Sequence, residues 1–113
     1  MLNKNDLNAT LSYLSAQAKD VFKNHLDSVI LYGSYARGDF DPESDIDIMI
    51  IADITEESVN RFTSELRNRI YQYELENDCV ISLCVVSKSI FERYKGVVPF
   101  YQNVIREGEE LAV

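Results

Sequence analysis

Three short, nearly unbroken apolar runs limit the fold more than any other feature: "SVILY" at 28–32, "DIDIMII" at 45–51 and "CVISLCVV" at 79–86. Their β-branched content and length predict strands. Strands apolar on both faces need cover from both sides, and helices supply it. The segments between the runs have helical spacing. Leu7, Leu11, Leu14, Ala18 and Val21 recur every three or four residues, predicting an amphipathic helix over 6–24, with Asn5 and Asp6 able to cap it. Thr55 is a fitting N-cap with Glu56 and Glu57 in the first turn, and Val59, Phe62, Leu66, Ile70 and Tyr73 form a helical stripe to about Glu74. Ser87 or Ser89 can cap a helix carrying Ile90, Phe91 and Tyr94 and ended by Gly96. A last helix opens at Pro99 and closes at Gly108.

The order α-β-β-α-β-α-α predicts an α/β (α+β) fold, a small mixed sheet flanked by helices. Only twelve residues, "GSYARGDFDPES", separate the first two strands. That is short for a full crossover helix, so these strands pair antiparallel or meet through a single helical turn. Residues 55–74 are long enough for a helical crossover to the third strand.

Composition bounds the function. A chain of 113 residues, 46% apolar, holds one ordinary core, so residues 1–113 are expected to form a single domain. Eleven basic against nineteen acidic residues give a formal charge of −8 without a Lys/Arg cluster, so the electrostatic footprint of a nucleic-acid binder is missing. No stretch has the apolar length of a membrane span, and "MLNKNDLNATLSYL" carries Asp, Asn and Thr where a signal peptide needs an apolar core. The expected location is the cytoplasm. Cys79 and Cys84 lie five apart in a strand, pointing to opposite faces, which argues against a disulfide and for small apolar core thiols. With His25 as the single histidine, no zinc-type ligand set can be assembled, and His25 itself reads as a surface residue after the first helix.

The chemistry concentrates in "LYGSYARGDFDPESDIDIMI", residues 31–50. Gly33 and Ser34 follow a strand and precede a plausible helical turn. A glycine, a hydroxyl and a helix N-terminus there make either a plain turn or a phosphate cradle, with Arg37 one turn on as a supporting cation. Asp45 and Asp47 are two apart, so in a strand both face one way while Ile46, Ile48 and Ile50 face the other. Two readings of the pair are open. It is a charged guard against edge pairing, or it holds a divalent cation, since oxygen-only donors about 6 to 7 Å apart along the backbone favour a hard ion such as Mg2+ or Mn2+. Tyr32 and Tyr35 flank the cradle and are candidates for stacking on a base.

Gly33-Ser34-x-Ala36-Arg37-Gly38, five residues, then Ser44-Asp45-x-Asp47 resembles the G-S-x-A-R-G-x5-S-D-x-D signature of the minimal nucleotidyltransferases (MNT) of the DNA polymerase beta superfamily. The resemblance implies a polymerase-beta-like palm core. Gly33, Ser34, Arg37 and Ser44 would bind nucleotide, and Asp45 and Asp47 would be the catalytic acids ligating two Mg2+ ions. Many such domains are antitoxins of HEPN ribonuclease toxins, which implies ATP as substrate, transfer of AMP to a tyrosine of the toxin, and a toxin protein as partner. The family commonly places a third acid in the next core strand. Here the expected positions near Val80 and Ser82 are not acidic, and Asp78 is the candidate to replace it as a metal ligand. Without that acid, a catalytically silent domain that masks its partner by contact alone is the alternative. No acceptor-holding domain is visible, so the acceptor is expected to dock beside an open cleft, with Val97, Val98, Phe100 and Tyr101 as candidate contacts.

Overall fold

The three apolar runs become adjacent strands covered by helices on both faces. The structure is a computed structural model and describes residues 4–112. Met1, Leu2, Asn3 and Val113 lie outside the described residues, as do the side chains of Lys4 and Asn5, and with them the cap expected of Asn5. Helix α1 (Lys4–Phe22) runs through a 3-10 turn at Lys23–His25 into β1 (Leu26–Tyr32), followed by a one-turn helix α2 (Ser34–Arg37) and β2 (Ile46–Ala52). A second 3-10 turn, Glu56–Ser58, leads into α3 (Val59–Asn77), then β3 (Ile81–Ser87), α4 (Lys88–Tyr94), α5 (Pro99–Glu107) and β4 (Glu109–Glu110).

The sheet has the order β3-β2-β1-β4. β1 is antiparallel to β2 and to β4, whereas β2 and β3 are parallel, joined by the α3 crossover. Both options left open for residues 33–44 are realised together: a single helical turn and antiparallel pairing. The central position of β2 explains its composition, since Ile46, Ile48, Met49 and Ile50 are all fully buried. Ile46, Ile48 and Ile50 join Val29 and Leu31 beneath Leu14 and Ala18 of α1 and Leu66 and Ile70 of α3. Met49, Ile51 and Val86 lie on the other face, under Phe91 of α4 and Val104 of α5.

Aromatic contacts close the seam between α1 and α3. Tyr13 stacks on Tyr73 at 4.1 Å, Phe22 on Phe62 at 5.0 Å, and the Thr10 and Tyr73 hydroxyls are 3.0 Å apart. A polar clamp fixes the start of β3. Arg67 Nη1 donates to the Ile81 carbonyl at 2.7 Å, while the Glu74 carboxylate accepts from the Ile81 amide at 2.7 Å and from Arg67 Nη2 at 2.5 Å. Both backbone groups of Ile81 are thereby taken by α3 side chains, which leaves nothing there for an intruding edge strand.

Element boundaries depart modestly from the sequence expectation. α3 continues three residues past Glu74, β3 starts at Ile81 rather than Cys79, and β2 starts at Ile46 rather than Asp45. The strand β4 was not expected, because two exposed glutamates carry no strand signal; the backbone bond from the Leu111 amide to the Val29 carbonyl, 2.8 Å, holds it. As expected, Ser87 Oγ accepts from the Ile90 amide as the cap of α4; Cys79 and Cys84 are free thiols, but both are half-buried at the edge of the core and Cys79 precedes β3. Among the described residues no helix is long and apolar enough to cross a membrane.

The core arrangement sets an expectation for stability. Ile70→Ala, at a fully buried position between α3 and the sheet, should cost about 2 to 5 kcal/mol in urea unfolding. Ile105→Ala, at an exposed position of α5, should change stability by less than about 0.5 kcal/mol.

Candidate active site

The site starts from a backbone requirement. Gly33 follows β1 with φ 75° and ψ −154°, a conformation essentially confined to glycine. In the β1–β2 ladder Tyr32 pairs with Asp47, and a Cβ built at position 33 would run into the Asp47 carboxylate. The missing side chain of Gly33 is therefore what lets Asp47 lie against the end of β1. Immediately after it, the Ala36 and Arg37 amides close α2 on the Gly33 carbonyl at 3.1 and 3.0 Å, and left-handed Gly38 returns its amide to the Ser34 carbonyl at 2.9 Å. The Ser34 and Tyr35 amides stand at the open helix end, beside the Ser34 hydroxyl, where no intrahelical acceptor exists for them.

Tyr32, Gly33, Ser34, Arg37 and Asp47 line one side of a cavity of about 350 Å³. Phe100, Asn103, Val104 and Glu107 of α5 form the opposite wall. Burial, and then the charge of Asp45, push the Asp47 carboxyl above its ordinary value, while Arg37 pulls it the other way. Among the described residues neither the Asp45 nor the Asp47 carboxylate has a hydrogen-bond or ion-pair partner. Two carboxylates that feel each other, with no fixed cation on either, form an anionic centre suited to a mobile hard cation.

Of the pair, Asp47 lies within β2 and Asp45 one residue before it. Asp45 precedes β2, because the ladder to β3 begins where the Ile46 amide meets the Val80 carbonyl at 2.8 Å. A turn presents Asp45: the Asp41 amide donates to Ser44 Oγ at 2.9 Å, and the Ser44 amide to the Asp41 carbonyl at 3.1 Å. Asp45 and Ser44 thus line a second cavity of about 430 Å³, whose wall includes the end of α3 and the residues leading into β3. Asp78 is also there, as the left-handed C-cap of α3 with φ 49°. Among the described residues no group of three His, Cys, Asp or Glu stands close enough to hold a metal ion.

The remaining candidates are placed as follows. Arg37 reaches the first cavity but is held by Asp39 at 3.1 Å and Glu107 at 3.3 Å. Tyr35 is buried and stacked on Phe40 at 4.3 Å, so it is not free to stack on a base. Tyr32 is half-buried, edge-on to Phe100 at 5.5 Å, and its hydroxyl is pushed up to about 12 by burial and by the Cys84 and Asp47 charges. His25 is exposed, in edge contact with Phe62. Sequence reasoning missed Asn103 and Glu107. Nothing in their spacing marks them, because the return of α5 alongside β1 brings them to the cavity.

The raised Asp47 pKa implies that folding disfavours its charged form. The native state then binds the proton more tightly than the unfolded chain, so this group lowers stability as pH rises through the carboxylate range. Asp47→Asn should therefore raise the melting temperature at neutral pH in metal-free buffer. The gain should fade below the ordinary aspartate range, where both states keep the proton; calorimetry across pH checks this.

Comparison with known proteins agrees with this geometry. The family profile of the nucleotidyltransferase domain matches residues 14–110. Two proteins of Methanocaldococcus jannaschii, both named "putative protein adenylyltransferase", are similar. One is 36% identical over 82% of this chain and 85% of its own length, the other 39% identical over 62% and 69%. Among solved structures, a toxin–antitoxin with AMP-PNP superposes with a TM-score of 0.53 at 18% identity, covering 88% of this chain and 71% of that one. A mutant of the MntA–HpeT toxin–antitoxin superposes with a TM-score of 0.52 at 18% identity, covering 98% and 73%. At such identities these two share the fold. Together with the Gly33-Ser34 and Asp45-x-Asp47 geometry, the profile match and the archaeal relatives establish that this chain belongs to the nucleotidyltransferase domain family.

Proposed function

We propose that this chain transfers AMP from ATP to a tyrosine hydroxyl of a HEPN-type toxin and acts as its antitoxin. The observation that carries the reading is the meeting of Ser34 and Asp47 across Gly33 in one cavity, with Asp45 near enough for its charge to act on Asp47. The names of the archaeal relatives support the adenylyl group, and the toxin–antitoxin neighbours, one of them with AMP-PNP, support the nucleotide and the partner.

In this reaction the acceptor oxygen attacks the α-phosphorus, the bond from that phosphorus to its bridging oxygen breaks, and pyrophosphate leaves in line while the hydroxyl proton passes to solvent. The Ser34 hydroxyl and the open amides of α2 donate to phosphate oxygens, and Gly33 lets them approach the backbone. Arg37 supports the phosphates by exchanging a carboxylate partner for them, and Ser44 holds the turn that presents Asp45. Asp45 and Asp47 would hold Mg2+, whereas Asp78, on the Asp45 side, forms no three-acid group with them; the oxygen-only character of the pair and its lack of fixed cationic partners fit such an ion. When bound, Mg2+ supplies charge neutralisation of the phosphates and a lowered pKa for the attacking hydroxyl.

A second reading is favoured by one observation, the lack of a three-acid group among the described residues. In it the domain silences its partner by contact alone. Incubation with α-labelled ATP, Mg2+ and a candidate HEPN-type toxin, beginning with the product of the neighbouring gene, separates the two. Label should appear on the toxin, and Asp45→Asn or Asp47→Asn should reduce transfer by at least ~100-fold. Inhibition that persists in both variants, with no label from the native chain, would establish masking instead. Ser34→Ala should weaken ATP binding about tenfold in a calorimetric titration, the loss of a charge-assisted hydrogen bond; unchanged affinity would remove Ser34 from the cradle.

A further inference from the structure

The second cavity carries a separate message. Its volume is about 430 Å³, larger than the first, and its wall includes Tyr71 and Leu75, each 60% exposed, and Val80, 56% exposed. Tyr71 and Leu75 are one helical turn apart on α3, so they sit on the same stripe. Three large apolar side chains left in solvent around one concavity are unlike scattered surface hydrophobics and resemble an unfilled docking surface.

The rim has one sign of charge. Glu43, Asp45 and Asp78 line this cavity, and no Lys or Arg does. Glu74 lines it too, but Arg67 and the Ile81 amide already hold its carboxylate. An apolar slot edged by unneutralised acids, on a chain with a formal charge of −8, complements a cationic and apolar partner. The acid pair links the two cavities: Asp45 lines this one, while Asp47, which feels its charge, lines the one beside Ser34.

We propose that the Asp45-side cavity is the acceptor subsite, receiving a polypeptide segment whose hydroxyl-bearing residue is flanked by a basic residue and an apolar one. The proposal rests on the nucleotide occupying the Ser34–Asp47 side. A segment in one cavity and a nucleotide in the other then meet at the two carboxylates. The apolar neighbour of the acceptor packs on Tyr71, Leu75 and Val80, and the basic neighbour faces Glu43 and Asp78. The exposed stripe of α3 thereby acquires a use that packing within the chain does not give it.

The test reads binding apart from chemistry. A fluorescein-labelled peptide with a Tyr-Leu core flanked by arginines is titrated with the full chain, alongside the same core flanked by glutamates. The arginine peptide should bind and weaken as salt rises, and the glutamate peptide should not bind. Glu43→Lys and, separately, Leu75→Ala should each weaken the arginine peptide about tenfold while ATP–Mg2+ affinity stays within about twofold. In the transfer assay the same variants should raise KM for the toxin with little change in kcat. Equal binding of both peptides, binding of neither, or native-like binding by the two variants would overturn the subsite. Peptide binding that behaves as expected in the absence of any label transfer would instead remove the adenylylation reading and leave the docking surface standing.

Discussion

The antiparallel pairing of β1 with β2 is the constraint on which the site depends. It places Tyr32 opposite Asp47, so that the residue following β1 must make room for a carboxylate, which glycine at position 33 does. What secures the pairing is not the site. Val29, Leu31, Ile48 and Ile50 are buried together beneath α1 and α3, and a one-residue slip of either strand would turn that set toward the wrong face. The hydrophobic effect therefore sets the position of the carboxylate through register, and the chemistry inherits the precision of the core.

The electrostatics run against stability. Asp47 is partly buried, close to Asp45, and partnered by no fixed cation among the described residues. The one nearby guanidinium, Arg37, is divided between Asp39 and Glu107. Such an arrangement stores repulsion, and functional sites commonly carry such destabilising features. Because the Arg37 pairs are solvent-exposed, each contributes little to stability.

The legibility of the chain varied with the kind of information involved. The strand runs at 28–32, 45–51 and 79–86 and the stripe from Val59 to Tyr73 were readable because burial on one or both faces leaves a periodic record. The Gly-Ser turn and the two aspartates were readable because few residue types can do their work. β4 was invisible, since Glu109 and Glu110 pair through backbone groups that every residue has. The assignment of Asp45 to a strand missed by one residue, and Asp45 lines the larger cavity beside Asp78. Tyr35, readable as a platform for a base, is instead taken by Phe40 in a contact no spacing rule reveals.

By itself the sequence determined the identities of the long helices and of β1, β2 and β3, the mixed α/β character and the family signature, because these follow from local periodicity and from side-chain chemistry at short spacing. Only the tertiary structure decided that the acid pair stands between two cavities, that α5 brings Phe100, Asn103 and Glu107 to face Ser34, and that Arg37 is already engaged. The reason is physical. Those relations join residues distant in sequence, Arg37 and Glu107 lying 70 positions apart, and they exist only once burial of the apolar faces has closed the chain around its sheet.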